Sequence, residues 1–153
     1  MPTVTRLSGA AMLTLLALAA APTLTAPAAI RSVASNALAW QAFDRAEIAR
    51  HVAAGRVVLV DITADWCLTC KANKALVLER DPVRAALSRE GMVPMQADWT
   101  RPNESISLFL ESNGRFGIPF NAVYGPGAPE GIILSEILTS TAVLQAIEQA
   151  SPR

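Results

Sequence analysis

Val57-Val58-Leu59-Val60-Asp61-Ile62-Thr63-Ala64-Asp65-Trp66-Cys67-Leu68-Thr69-Cys70 is the stretch on which the fold turns. It opens with a β-branched, almost wholly apolar run, the pattern of a strand buried on both faces. It closes on the start of a helix-type run. Cys67 and Cys70 are the only two cysteines among 153 residues. A thiol at the start of a helix faces unsatisfied backbone N–H groups and the positive end of the helix dipole, and both stabilise the thiolate. The thiolate is the form that attacks disulfides. Two cysteines one turn apart can make and break an internal bond, so a C-x-x-C at a strand-to-helix junction reads as a thiol–disulfide redox site.

Other uses of the pair are limited by what else the chain carries. A closed structural zinc site takes four ligands. There is no third cysteine and His51 is the only histidine, so no metal is expected on that count. A two-thiolate Cu(I) site stands as a binding-class alternative. A static structural disulfide closing so small a loop would remove little entropy from the unfolded chain.

Thirteen basic side chains balance thirteen acidic ones, so there is no basic field to attract nucleic acid. The N-terminus is different. Residues 7–30 carry no charge and lie between Arg6 and Arg31. One reading is a secretory signal, with an apolar core over residues 7–21 and a cleavage site after Ala26-Pro27-Ala28. The other is a retained membrane helix, for which about 20 residues suffice, although Pro22 and Pro27 interrupt it. Either places the remainder outside the cytoplasm, in the periplasm, soluble after cleavage or anchored to the inner membrane. Residues 31–39 read as a linker, and residues 40–150 as one domain.

Within that domain, Asp44 to Ala54 reads as a helix with capping-box-like spacing between Asp44 and Glu47 and a stop at Gly55. A strand over residues 57–63 leads into the redox helix, residues 67–78, with Ala72, Ala75, Leu76 and Leu78 available for burial. Asp81 and Pro82 fit the N-cap and first position of a short helix. A strand follows over residues 92–97, then a helix over 105–112 and a strand over 121–124. The Gly- and Pro-dense segment 125–131 is a turn, and 132–134 is the returning strand. Thr139 or Ser140 caps a last helix with Val143, Leu144 and Ile147 on one face. This order predicts an α/β fold: a central mixed sheet flanked by helices on both faces, behind an N-terminal hydrophobic segment.

On these residues the chain resembles a thioredoxin-fold protein. More closely, Val60 to Lys71, Ala97-Asp98-Trp99-Thr100 and Gly114 to Phe120 resemble the C-terminal periplasmic domain of DsbD-type thiol:disulfide interchange proteins. The resemblance implies a thioredoxin-like fold and protein dithiol/disulfide partners, with a membrane-embedded electron donor and a periplasmic acceptor. No cofactor is called for. It implies that Asp61, six residues before Cys67, is buried near the second cysteine, where burial raises its pKa and lets it shuttle the Cys70 proton. It also implies a cis bond at Ile118–Pro119, opposite the cysteines, in a loop whose backbone pairs with a bound peptide. Where the family often has a glutamate shortly after the second cysteine, this chain has Asn73 and Lys74.

Cys67, first in the motif, is the expected nucleophile, and Cys70, one turn in, the more buried resolving thiol. Leu68 and Thr69 add no cation to depress the Cys67 pKa, which favours a reducing role over a strongly oxidising one. Trp66 is either a wall beside the site or core. Asp65 is either a turn residue or a participant, and Trp99 either flanks the site or packs in the core. The expected activity is protein-disulfide reduction or electron relay through Cys67 and Cys70. A disulfide oxidase or isomerase would differ only in redox poise and partner.

Overall fold

The computed structural model describes residues 37–152. The hydrophobic segment 1–30 and most of the linker expectation lie outside these residues. Among the described residues, no helix is long and apolar enough to cross a membrane. Leu38 is buried in the core, so packed structure begins before residue 40.

The elements run β1 (Gln41–Ala42), α1 (Arg45–Ala53), β2 (Val57–Thr63) and α2 (Leu68–Asn73), which continues as a π-helical turn over Lys74–Leu78. Then come α3 (Val83–Leu87), β3 (Met92–Asp98), α4 (Glu104–Ser112), β4 (Phe120–Gly125), β5 (Ala128–Ile133) and α5 (Ser140–Ala150). The strands form one mixed sheet in the order β1-β3-β2-β4-β5. β1, β3 and β2 are mutually parallel; β4 and β5 are antiparallel to their neighbours.

The strand periodicity of two divides the core cleanly. Val58, Val60 and Ile62 face one side, packing with Ile48 of α1 and with Ile106, Phe109 and Leu110 of α4. Val57 and Leu59 face the other, with Leu78, Val83, Leu87, Val143 and Ile147. Asp61 continues this second row and therefore points to the face that carries the redox helix and α5. β2 lies at the middle of the sheet, where its apolar run leaves no solvated face, as the sequence implies.

Most element ends follow from local chemistry. The Asp44 carboxylate accepts from the Ala46 N–H at 2.8 Å. Glu47 pairs with Arg50 at 2.7 Å instead of completing a reciprocal capping box. Gly55 ends α1 with φ of 78°, a conformation that favours glycine. Asn103 caps α4 and Thr139 caps α5.

Four features differ from the sequence expectation. β1 is an added two-residue strand, held on β3 by tertiary contact. Asp81 is not the cap of α3: Pro82 takes that position, and Asp81 pairs with Arg84 at 2.7 Å. The turn between β4 and β5 shrinks to Pro126-Gly127, because β5 is an edge strand and can hold Pro129 without losing a ladder bond on its free side. Finally, Ala72, Ala75 and Leu76 are exposed; the buried face of the redox helix is Cys70, Asn73, Val77 and Leu78. Asn73 is drawn inside by backbone partners on the β5–α5 segment, and this rotates the buried face away from the small residues.

Candidate active site

The sequence after β2 places Cys67 at the N-cap of α2, with extended backbone angles (φ −87°, ψ 95°). Its Sγ accepts from the Cys70 N–H at 3.1 Å. A sulfur there lies where a negative charge is stabilised by the first turn. Cys67 and Cys70 form a disulfide with Cα atoms 5.3 Å apart. Cys67 is 6% exposed and Cys70 2%, so both are largely covered and Cys67 is the more open.

Ala64 and Ile118 pack against the pair. Ile118 precedes Pro119, and the bond between them is cis, as the resemblance implies. Asp81–Pro82 is a second cis bond, which the sequence reading does not anticipate. Trp66 is mostly exposed, tethered at its edge by Nε1 donating to the Thr100 carbonyl at 3.3 Å. Trp66 is therefore not core; it stands exposed next to Cys67 in sequence. Trp99 goes the other way, packing against the α1–α4 side of the core. The backbone N–H of Asp65 is held by the Thr100 hydroxyl at 2.9 Å, and Thr100 in turn bonds the Asp98 carboxylate, so Asp65 belongs to a turn network.

One segment that sequence reasoning did not assign to the site is tied to the redox helix, the β5–α5 loop. The loop before Pro119 carries Phe116, 83% exposed, and the β5–α5 loop carries Ile137, also exposed. An Arg115–Glu136 ion pair at 3.3 Å joins these loops. The Asn73 side chain then ties the second loop to the redox helix, donating to the Glu136 carbonyl at 2.7 Å and accepting from the Leu138 N–H at 3.1 Å. Trp66 and Leu68, the latter 79% exposed, flank Cys67 in sequence, and with Leu76, Phe116 and Ile137 they are large apolar side chains open to solvent on linked segments. Isolated exposed apolar residues are ordinary, whereas several on connected loops mark a contact surface. For Phe116 and Ile137 the only sequence signal was their occurrence in loops, where burial cannot account for them.

Beneath the redox helix lies a polar row. Asp61, 2% exposed, accepts from Gln96 Nε2 of β3 at 2.7 Å and from Asn121 Nδ2 of β4 at 2.8 Å. Register places Gln96 and Asn121 directly opposite Asp61 on its two neighbouring strands. Burial pushes the Asp61 carboxyl above the usual carboxylate range; the two amides and the Lys74 charge oppose this only in part. Among the described residues, no group of three or more His, Cys, Asp or Glu side chains gathers as a metal site.

Comparison with known proteins agrees with this geometry. The chain is 36% identical over 84 residues to the thiol:disulfide interchange protein DsbD of Ralstonia nicotianae, and 33% identical over 85 residues to DsbD 1 of Pseudomonas aeruginosa. These alignments cover 53% and 56% of this chain but only 14% of each relative. The DsbD C-terminal domain of Neisseria meningitidis in its reduced form superposes with a TM-score of 0.54 at 24% identity, over 72% of this chain and 99% of that domain. That likeness is one of fold. Residues 39–126 match the thioredoxin-like family model, a span that holds the redox motif, the buried acid and the cis-proline. With the sheet order and the helix-capping cysteine also in place, this chain belongs to the thioredoxin-like family.

Proposed function

We propose that the chain is an extracytoplasmic thiol–disulfide oxidoreductase that works as a reductase or electron relay. The observation that carries this reading is the Cys67–Cys70 disulfide at the start of α2, bordered by exposed apolar side chains. The dithiol form is the reductant. The Cys67 thiolate attacks a partner disulfide, forming a Cys67–partner bond and releasing the other partner sulfur, which takes a proton from water. Cys70 then gives its proton to Asp61, and its sulfur attacks Cys67. The Cys67–Cys70 bond forms, the bond to the partner breaks, and the partner leaves as a thiolate. Two electrons pass to the partner and the cysteine pair ends oxidised, so no cofactor enters.

Asp61 suits the acceptor role because it lies on the sheet face beneath the helix that carries Cys70, and a raised carboxyl pKa brings it nearer that of a thiol. Ile118 and Pro119, with Trp66, are the proposed partner-contact residues, extended by Leu68, Phe116 and Ile137. The proposed partners are a membrane-embedded dithiol donor and a periplasmic disulfide acceptor, and the uncharged N-terminal segment supports a periplasmic or membrane-anchored location.

Cys70→Ser tests this directly. Without the resolving thiol, the Cys67-linked complex accumulates with a disulfide-bearing protein or peptide and runs as a dithiothreitol-sensitive band on a non-reducing gel. Cys67→Ser removes the band. Trapping by Cys67→Ser instead of Cys70→Ser would reverse the roles, and trapping by neither would overturn the exchange reading.

A further inference from the structure

The polar row under the redox helix does not end at Asp61. Gln96 Oε1 accepts from Lys74 Nζ at 3.3 Å, so Lys74, Gln96, Asp61 and Asn121 form one hydrogen-bonded line across a helix and three strands. Lys74 stands one turn after Cys70, on the first residue of the π-helical turn. Its ammonium also lies 5.2 Å from the centre of the Trp40 ring and 4.0 Å from a Glu79 carboxylate oxygen. The charged groups that act on Asp61 are Lys74 and Glu79; the elements on either side of it present the amides Gln96 and Asn121.

The two amides are not equivalent. Gln96 stands between an ammonium and a carboxyl. Turning its carbonyl toward Lys74 leaves its NH₂ toward Asp61, and the reverse orientation would set NH₂ against NH₃⁺. Lys74 therefore locks Gln96 as a donor to Asp61 Oδ2 and polarises that N–H. A donor favours the ionised carboxylate, which is a far stronger acceptor than the protonated carboxyl. On the other side, Asn121 Oδ1 is buried and has no partner among the described residues. Among the described residues that amide's side-chain bond is the one to Asp61 Oδ1 itself, so once Oδ1 takes a proton the amide can turn and accept its O–H.

We propose that Lys74 is a positioning residue that acts through Gln96 to keep Asp61 ionised and ready to take a proton, which enters on the Oδ1 side. This inference rests on the reading of Asp61 as the Cys70 proton acceptor, but it can be tested apart from that reading.

In the disulfide form the cysteines do not titrate. The Asp61 carboxyl ¹³C signal, identified by its loss in Asp61→Asn, then reports Asp61 alone. Lys74→Met should raise its midpoint by about one pH unit, Lys74→Arg should restore it, and Glu79→Gln should move it down. The Lys74→Met shift should shrink in a Gln96→Leu background, since the connecting amide is gone. An unmoved midpoint in Lys74→Met, or the same shift with and without Gln96, would overturn the inference whatever the exchange activity. If the midpoint moves but the pH profile of disulfide exchange does not follow, the acceptor role of Asp61 falls instead.

Discussion

At the scale of single residues, Asp61 combines a cost with a use. A carboxylate buried in the middle strand is held by two amides and, through one of them, by a lysine. Because the folded carboxyl keeps its proton to higher pH than the unfolded one, near 3.9, raising pH between the two midpoints destabilises the native state. Asp61→Asn removes that cost. Once the Asn121 amide turns, the new NH₂ can donate to Asn121 Oδ1, which has no partner among the described residues. The variant should be more stable than the parent at pH 7 in urea denaturation, with the difference fading toward acid pH. It should also exchange disulfides at least about 100-fold more slowly near neutral pH, the lower end of the scale of a lost general base. A variant that is both less stable and equally active would make Asp61 a structural residue.

At the scale of elements, one polar side chain ties the redox helix to the β5–α5 loop. Asn73 bridges α2 to the β5–α5 loop through two backbone bonds in a buried setting. Asn73→Ala leaves a buried N–H and a carbonyl unpaired and should cost about 1–3 kcal/mol in chemical denaturation. It should also loosen the loop bearing Ile137, while the Cys67–Cys70 bond still forms. A loss of only a few tenths of a kcal/mol would mean that water replaces the bridge. Asn73 also marks where sequence reading stops. β2, the cysteine motif and the end of α1 at Gly55 are decided by neighbouring residues, so they were legible. The burial of Asn73 in place of Ala72 or Leu76, the two-residue β1 and the passage of β5 through Pro129 are decided by contacts distant in sequence. The polar row was half legible: Asp61 stood out in an apolar run, but Gln96 and Asn121 gain meaning only from strand register. The link between the loops of Phe116 and Ile137 was not legible either, because it runs through an ion pair and an asparagine whose partners are distant in sequence.

At the scale of the whole molecule, the two faces of the sheet carry separate work. One holds the redox helix and the polar row; the other, under α1 and α4, is largely apolar packing. His51 on α1 is buried, and among the described residues neither ring nitrogen has a partner. Burial, with nearby Arg56 next in weight, holds its pKa below the usual histidine value. The unfolded histidine therefore takes a proton near pH 6.5 while the folded one does not, and stability is lost as pH falls through that range. Asp61 has the opposite sign. Denaturation across pH 4–7 should show a His51→Leu variant with less acid destabilisation than the parent; an unchanged slope would mean that His51 is solvated.

The central claim, that this pair donates electrons, is tested most directly by the reduction potential of the Cys67–Cys70 couple. No cation lies between the cysteines to favour an extreme thiolate. Equilibration with a redox buffer should give a value nearer about −270 mV than about −120 mV, the reducing and strongly oxidising ends for proteins of this fold. Those ends differ by about 7 kcal/mol for two electrons, so the result is decisive. A potential near the oxidising end would contradict the account and make the protein an oxidase.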